Sequence, residues 1–136
     1  MKVGILLITH GNIGAVLLQS ATEVLGVCPL SITTISAAAG CDPERVLIFA
    51  KQAAQEIDCG DGVLVLTDMY GATPSNIACR LRELHDVRVV SGLNLPMLIR
   101  VLNYPDLDLD GLMHKAVTGG RDGVLLCNTE GAPHAG

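Results

Sequence analysis

Tryptophan is absent from this 136-residue chain, and aromatic residues make up only 2% of it (Phe49, Tyr70 and Tyr104). The core must therefore be built from Val, Ile, Leu and Ala, and few rings are available to stack on bases. Basic residues are scarce as well: nine Lys and Arg against fourteen Asp and Glu leave a formal net charge of -5. They are scattered, with no massed phosphate-neutralising face, so nucleic acid is excluded as a partner. No apolar run approaches the roughly 20 residues that cross a bilayer. The run Val3–Ile8 follows a single Lys2 and stops at Thr9-His10, too short for a signal segment. Direct membrane insertion and export are not expected, and the expected location is cytoplasmic. The five cysteines (Cys28, Cys41, Cys59, Cys79 and Cys127) are odd in number and widely spaced, without C-x-x-C or a His at metal spacing. They read as reduced, small apolar groups rather than a disulfide framework or a metal site.

What is present is a chain that is 49% hydrophobic and 17% charged, a balance that excludes disorder for its bulk and suits one compact domain. We place that domain at residues 1–128 and a flexible polar tail at 129–136. Val3–Ile8 and Val63–Leu66 are apolar on both faces, as expected for strands buried between helical layers. Ser31–Ile35 and Val87–Val90 carry polar residues and read as strands nearer a sheet edge. Between them run segments of helical period. The first starts near Asn12, is striped by Ile13, Val16, Leu17, Ala21, Val24 and Leu25, and stops at Gly26. The second opens at Asp42-Pro43 and the third at Thr73-Pro74, each a capping residue before a first-turn proline, the third running on through Leu84. Two more lie near Pro96–Leu102 and Leu109–Thr118, the last ended by Gly119-Gly120. Gly123–Asn128 reads as a final strand. Alternation of this kind predicts an α/β fold: a doubly wound, mainly parallel sheet of four strands flanked by helices, with a fifth strand at the C-terminus.

Sites in such sheets form where loops leave the carboxyl ends of strands. Three of those loops carry distinctive residues: Thr9-His10-Gly11-Asn12 after the first strand, Thr67–Asn76 after the third, and Ser91–Pro96 after the fourth. If their strands are neighbours, His10, Asp68 and the helix start at Thr73 converge. A carboxylate that accepts from one ring N–H fixes the tautomer of an imidazole, aims the other nitrogen outward and stabilises charge developing on the ring. Free N–H groups at Thr73–Asn76, with the hydroxyls of Thr73 and Ser75, suit a tetrahedral anion such as phosphate. Gly11 and Gly71 would let backbone approach it closely. No G-x-G-x-x-G or Walker A pattern is present, which disfavours a nucleotide-driven kinase. His85, at the end of the third helix, His114, off the apolar stripe of the last one, and His134, in the tail, carry no such pattern.

Three ordered stretches, Thr9-His10-Gly11, Thr67–Asn76 and Ser91-Gly92-Leu93-Asn94-Leu95-Pro96-Met97-Leu98, together resemble the mannose-type enzyme IIA family of the bacterial phosphoenolpyruvate:sugar phosphotransferase system. The resemblance spans roughly residues 1–127. It implies a phosphotransferase that needs no cofactor, in which His10 takes a phosphoryl group from the carrier protein HPr and passes it to a IIB component. It further implies that Asp68 orients His10, that Thr73 and the following amides hold the phosphate, and that the chain forms a homodimer by exchanging the edge Val124–Cys127. Ala72-Thr73 stands where many relatives have Gly-Ser, with the hydroxyl retained. The 136 residues hold no linker or IIB domain, so the downstream acceptor is expected on another chain. The alternative is a stand-alone regulatory module whose His10 phosphorylation state controls binding to a target protein. A small hydrolase built on His10 and Asp68 lacks a convincing Ser or Cys nucleophile.

Overall fold

A computed structural model describes residues 2–127. The element order is β1 (Gly4–His10), α1 (Ile13–Leu25), β2 (Ile32–Ala37), α2 (Pro43–Ile57), β3 (Val63–Thr67), α3 (Thr73–Arg80) with a 3₁₀ turn at Leu81–Glu83, β4 (Val87–Ser91), α4 (Leu95–Leu102) and α5 (Leu109–Asp122). The four strands form one parallel sheet in the order β2-β1-β3-β4. This is the expected doubly wound α/β sheet, with the two polar-bearing strands at its edges.

The period of a strand explains the two cores. Ile5 and Leu7 of β1 join Leu64 and Leu66 of β3 in a cluster closed by Leu98, Val101, Leu112 and Ala116. Leu6 and Ile8, pointing the other way, join Val63 and Val65 against Leu47, Ala50, Ala54 and Ile77. So α1, α4 and α5 cover one face, while α2 and α3 cover the other. From β1 the chain moves outward to β2, then returns past β1 to β3. The direction of winding reverses between β1 and β3, where an open α/β sheet forms its crevice.

Local signals account for most helix ends. Gly26 stops α1 with a left-handed φ of 78°, and its N–H donates to the Thr22 carbonyl. The Asp42 side chain caps α2 by accepting from the Glu44 N–H, with Pro43 in the first turn. The start of α3 differs from expectation: Ala72 is the capping residue, no side chain caps the helix, and Thr73 already lies inside its first turn. That helix is also shorter than its stripe, tightening into the 3₁₀ turn before Leu84 and leaving His85 in the following turn. On α1, Ile13, Val16 and Val24 are exposed rather than buried; the inward face is formed by Gly14, Leu17, Leu18, Ala21 and Leu25.

Two expectations concern the C-terminus, and the first is corrected. Gly119-Gly120 does not end α5, which continues to Asp122. A Cβ on Gly119 would lie 2.6 Å from Cβ of Arg100, and one on Gly120 would lie 2.7 Å from Cε of Met97. These glycines let α5 press against α4, a tertiary requirement that local helix rules misread as a stop. Gly119→Ala is therefore expected to destabilise the fold by about 1–3 kcal/mol in urea denaturation, because overpacking outweighs the helix propensity of alanine; a gain in stability would show that the contact yields freely. The other concerns Gly123–Asn128, part of which the resemblance assigns to a partner's sheet. Val124, Leu125, Leu126 and Cys127 are exposed and form no strand with the sheet of their own chain. An extended segment becomes a strand only beside an edge that takes its hydrogen bonds. Asn128 and the expected tail at 129–136 lie outside the described residues.

Candidate functional site

His10 is the last residue of β1, and Asp68 follows β3 directly. Because β1 and β3 are paired neighbours in register (Ile8↔Thr67), the two residues emerge side by side at the crevice. His10 Nδ1 lies 2.8 Å from Asp68 Oδ2, and the same oxygen accepts the His10 backbone N–H at 3.1 Å. The other carboxylate oxygen accepts the Met69 N–H at 3.1 Å. The aspartate is thus held from three sides, with its side chain 11% exposed against 44% for the imidazole.

Burial acts to raise the Asp68 pKa. Hydrogen bonds from the His10 ring, the His10 backbone and the backbone of Asp68 itself, with the charge of the ring, outweigh it and hold the carboxyl below its ordinary range. An ionised carboxylate offers only acceptors, so Nδ1 carries a proton, and in the neutral ring that leaves the lone pair on Nε2. A carboxyl whose folded pKa is depressed adds stability that is present above its unfolded value of about 3.9 and is lost as pH falls through the folded value. Acid titration of unfolding should therefore show a weaker pH dependence below about pH 4 in Asp68→Asn than in the wild type. Equal slopes would mean the Asp68–His10 link contributes nothing to folding.

The imidazole lines an open cleft of about 710 Å³, together with Gly11, Thr73, Ala37–Cys41 and Pro43. Thr73 opens α3 into this space and is exposed, whereas Pro74 supplies no N–H to it. Ser75 is buried, and its hydroxyl accepts the Gly71 N–H at 3.4 Å. It closes the loop from beneath rather than presenting an oxygen to the cleft. Gly11 and Gly71 have φ of 46° and 85°, and a Cβ on either would meet nothing within 4 Å. Both residues supply a left-handed turn in the loops that leave β1 and β3. Thr9, buried beside the site, accepts the Gly14 N–H through Oγ1 at 2.9 Å and so ties the start of α1 to β1.

Sequence reasoning missed one wall of the cleft. Ala37 ends β2, Ala38-Ala39-Gly40-Cys41 follow it, and together they face His10 across the opening. The signal was available: a run of small residues at the carboxyl end of a strand adjacent to β1. Met69 and Tyr70, both exposed on the β3–α3 loop, form part of the surface next to Asp68. The third loop, after β4, does not line the cleft; Asn94 caps α4 instead, accepting from the Met97 N–H and donating to the Gly120 carbonyl.

The family model described as PTS system fructose IIA component (EIIA-man) matches residues 4–117. The PTS system mannose-specific EIIAB component of Escherichia coli (strain K12) is 32% identical over 127 residues, 91% of this chain and 39% of that protein. The chain thus spans well under half the length of that relative. The transcriptional regulatory protein LevR of Bacillus subtilis (strain 168) is 29% identical over 123 residues, 86% of this chain and 13% of that protein. Among solved structures, a mannose/sorbose-specific IIA subunit of the phosphotransferase system from Enterococcus faecalis superposes with a TM-score of 0.84 at 26% identity, over 98% of this chain and 100% of that one.

Proposed function

This chain belongs to the mannose-type IIA family of the phosphotransferase system, and from that membership we propose that it is a phosphocarrier whose acceptor atom is Nε2 of His10. The observation that carries the proposal is the 2.8 Å contact between Nδ1 and Asp68, at a ring that stays half-exposed in the cleft. The donor is a phosphohistidine on HPr. The Nε2 lone pair attacks phosphorus in line, an N–P bond forms, and the donor N–P bond breaks with its electron pair returning to the donor ring. His10 keeps its Nδ1 proton, and Asp68 stabilises the positive charge that the ring gains. Thr73, through its hydroxyl and N–H, and the Ser75 N–H at the start of α3 face the incoming oxygens, where the helix dipole favours an anion. Transfer to a IIB component reverses the step. Incubation with phosphorylated HPr tests this reading: one acid-labile phosphate per chain is the expected result, and none would reject it.

A second reading rests on the similarity to LevR. There the chain acts as a regulatory module, and the dianion added at His10 changes its affinity for a target protein. Capture of a partner that holds no phosphoryl-accepting residue, gained or lost on His10→Asp, would favour this role over transport. In either role we propose a homodimer. Val124, Leu125 and Leu126 expose apolar side chains on a segment with no strand partner in its own sheet, and a partner's sheet edge would supply one. Ending the chain after Gly123 should halve the mass measured by light scattering; an unchanged mass would remove this segment from the interface.

A further inference from the structure

Transfer between two imidazoles makes a geometric demand beyond the acceptor atom. Both ring nitrogens have to reach one phosphorus, so a protein-borne donor ring must enter the cleft while the surface around it lies against the rim. On the phosphocarrier reading given above, on which this inference rests, the rim is covered at every transfer. Its two sides are apolar. On one, Ile13 opens α1 and is 43% exposed. The next residue, Gly14, donates its N–H to Thr9 Oγ1 at 2.9 Å, which pins the helix start beside His10. On the other side, Met69 and Tyr70 follow Asp68 and are 59% and 80% exposed. Because α1 covers one face of the sheet and α3 the other, the imidazole emerges between these two groups.

The backbone around Tyr70 is fixed on both sides. The Met69 N–H donates to Asp68 Oδ1 at 3.1 Å, the Gly71 N–H to Ser75 Oγ at 3.4 Å, and the Ala72 N–H to the Met69 carbonyl at 3.4 Å. A pinned loop has little backbone order left to acquire on contact, which lowers the cost of binding through it. Only three residues of the chain are aromatic, and one stands two positions from Asp68 with most of its surface in water. Charge offers no substitute. Among the described residues, none of those lining the cleft is Lys or Arg, and Arg80, at the far end of α3, is paired with Glu44. A phosphoryl group entering the cleft therefore meets a helix start and no cationic side chain, a weak hold on a free donor.

We propose that Tyr70, with Met69 and Ile13, forms the docking surface for the phosphohistidine donor. The partner it fits is a protein whose reactive ring is surrounded by apolar side chains. Selection rests on burial of this rim rather than on the charge of the phosphate. Tyrosine suits the role because it buries a large ring with few rotatable bonds and keeps a hydroxyl for the wet edge of an interface.

Initial rates of His10 labelling, read by peptide mapping at varied concentrations of phosphorylated HPr and of phosphoramidate, test the proposal. HPr has to dock, whereas phosphoramidate is small enough to reach Nε2 without touching the rim, and it releases ammonia as it gives up its phosphoryl group. Tyr70→Ser combined with Ile13→Ser should raise KM for phosphorylated HPr about 10–30-fold with little change in kcat. The same chain should be labelled by phosphoramidate at the wild-type rate. Val24→Ser removes an exposed apolar side chain about 16 Å along α1 from Ile13 and should alter neither reaction. A wild-type KM in the combined variant, a matching rise in Val24→Ser, or an equal loss with both donors would overturn the proposal. So would a wild type labelled by phosphoramidate but not by HPr. Labelling of the wild type by neither donor would instead reject His10 as the acceptor, and the docking surface with it.

Discussion

His10→Ala should take up no phosphoryl group from phosphorylated HPr under conditions in which the wild type is labelled to one phosphate per chain. The effect is all-or-none because the variant lacks the atom that forms the new bond. His85 offers no substitute. It lies in an exposed turn beyond α3, and its contact is an exposed Asp86 at 3.5 Å. His114 is exposed on α5 with no carboxylate shown to orient it. Neither ring has both a fixed tautomer and a helix start nearby. The variant should also fold, since the imidazole is half-exposed and ends a strand whose core residues, Ile5 to Ile8, are untouched. Circular dichroism and a thermal midpoint near wild type would establish that. Residual acid-labile label on a folded His10→Ala chain would place the acceptor elsewhere.

The parts of this site that sequence made legible are those written in residue type and order. Four strands, five helices and the parallel sheet follow from apolar runs and capping signals, and strands buried on both faces are betrayed by consecutive residues such as Leu6-Leu7. The meeting of His10 with Asp68 was legible only conditionally. Burial patterns reveal which strands are central, but not that β1 and β3 are the central neighbours between which the winding reverses. Ser75 marks a different limit. Its position in the first turn of α3 is readable, while the inward direction of its hydroxyl is set by the turn at Gly71, whose N–H it accepts. Gly119 and Val124–Cys127 share a limit of another kind. Helix-stop and strand signals are local, whereas close packing against Arg100 and an available sheet edge are properties of distant chain.

Asp68→Ala should slow phosphoryl transfer to His10 by about 10²–10⁴-fold in rapid-quench measurements, the range found where an orienting or proton-handling side chain is removed. Two contributions are lost together. Without the carboxylate, the Nδ1 proton is no longer fixed, so part of the population carries its proton on Nε2 and cannot attack. The positive charge that develops on the ring also loses its counter-ion 2.8 Å away. Asp68→Asn separates the two. Oδ2 accepts both the His10 N–H and Nδ1, so the amide oxygen belongs at that position, where it preserves the tautomer. The amide nitrogen then meets the Met69 N–H, a donor facing a donor, which costs some stability but leaves the ring aimed. Asn should therefore be slower than wild type through the missing charge alone, and faster than Ala. Equal rates for the two variants would assign the whole effect to charge. Wild-type rates in both would mean that Asp68 anchors the loop and takes no part in transfer.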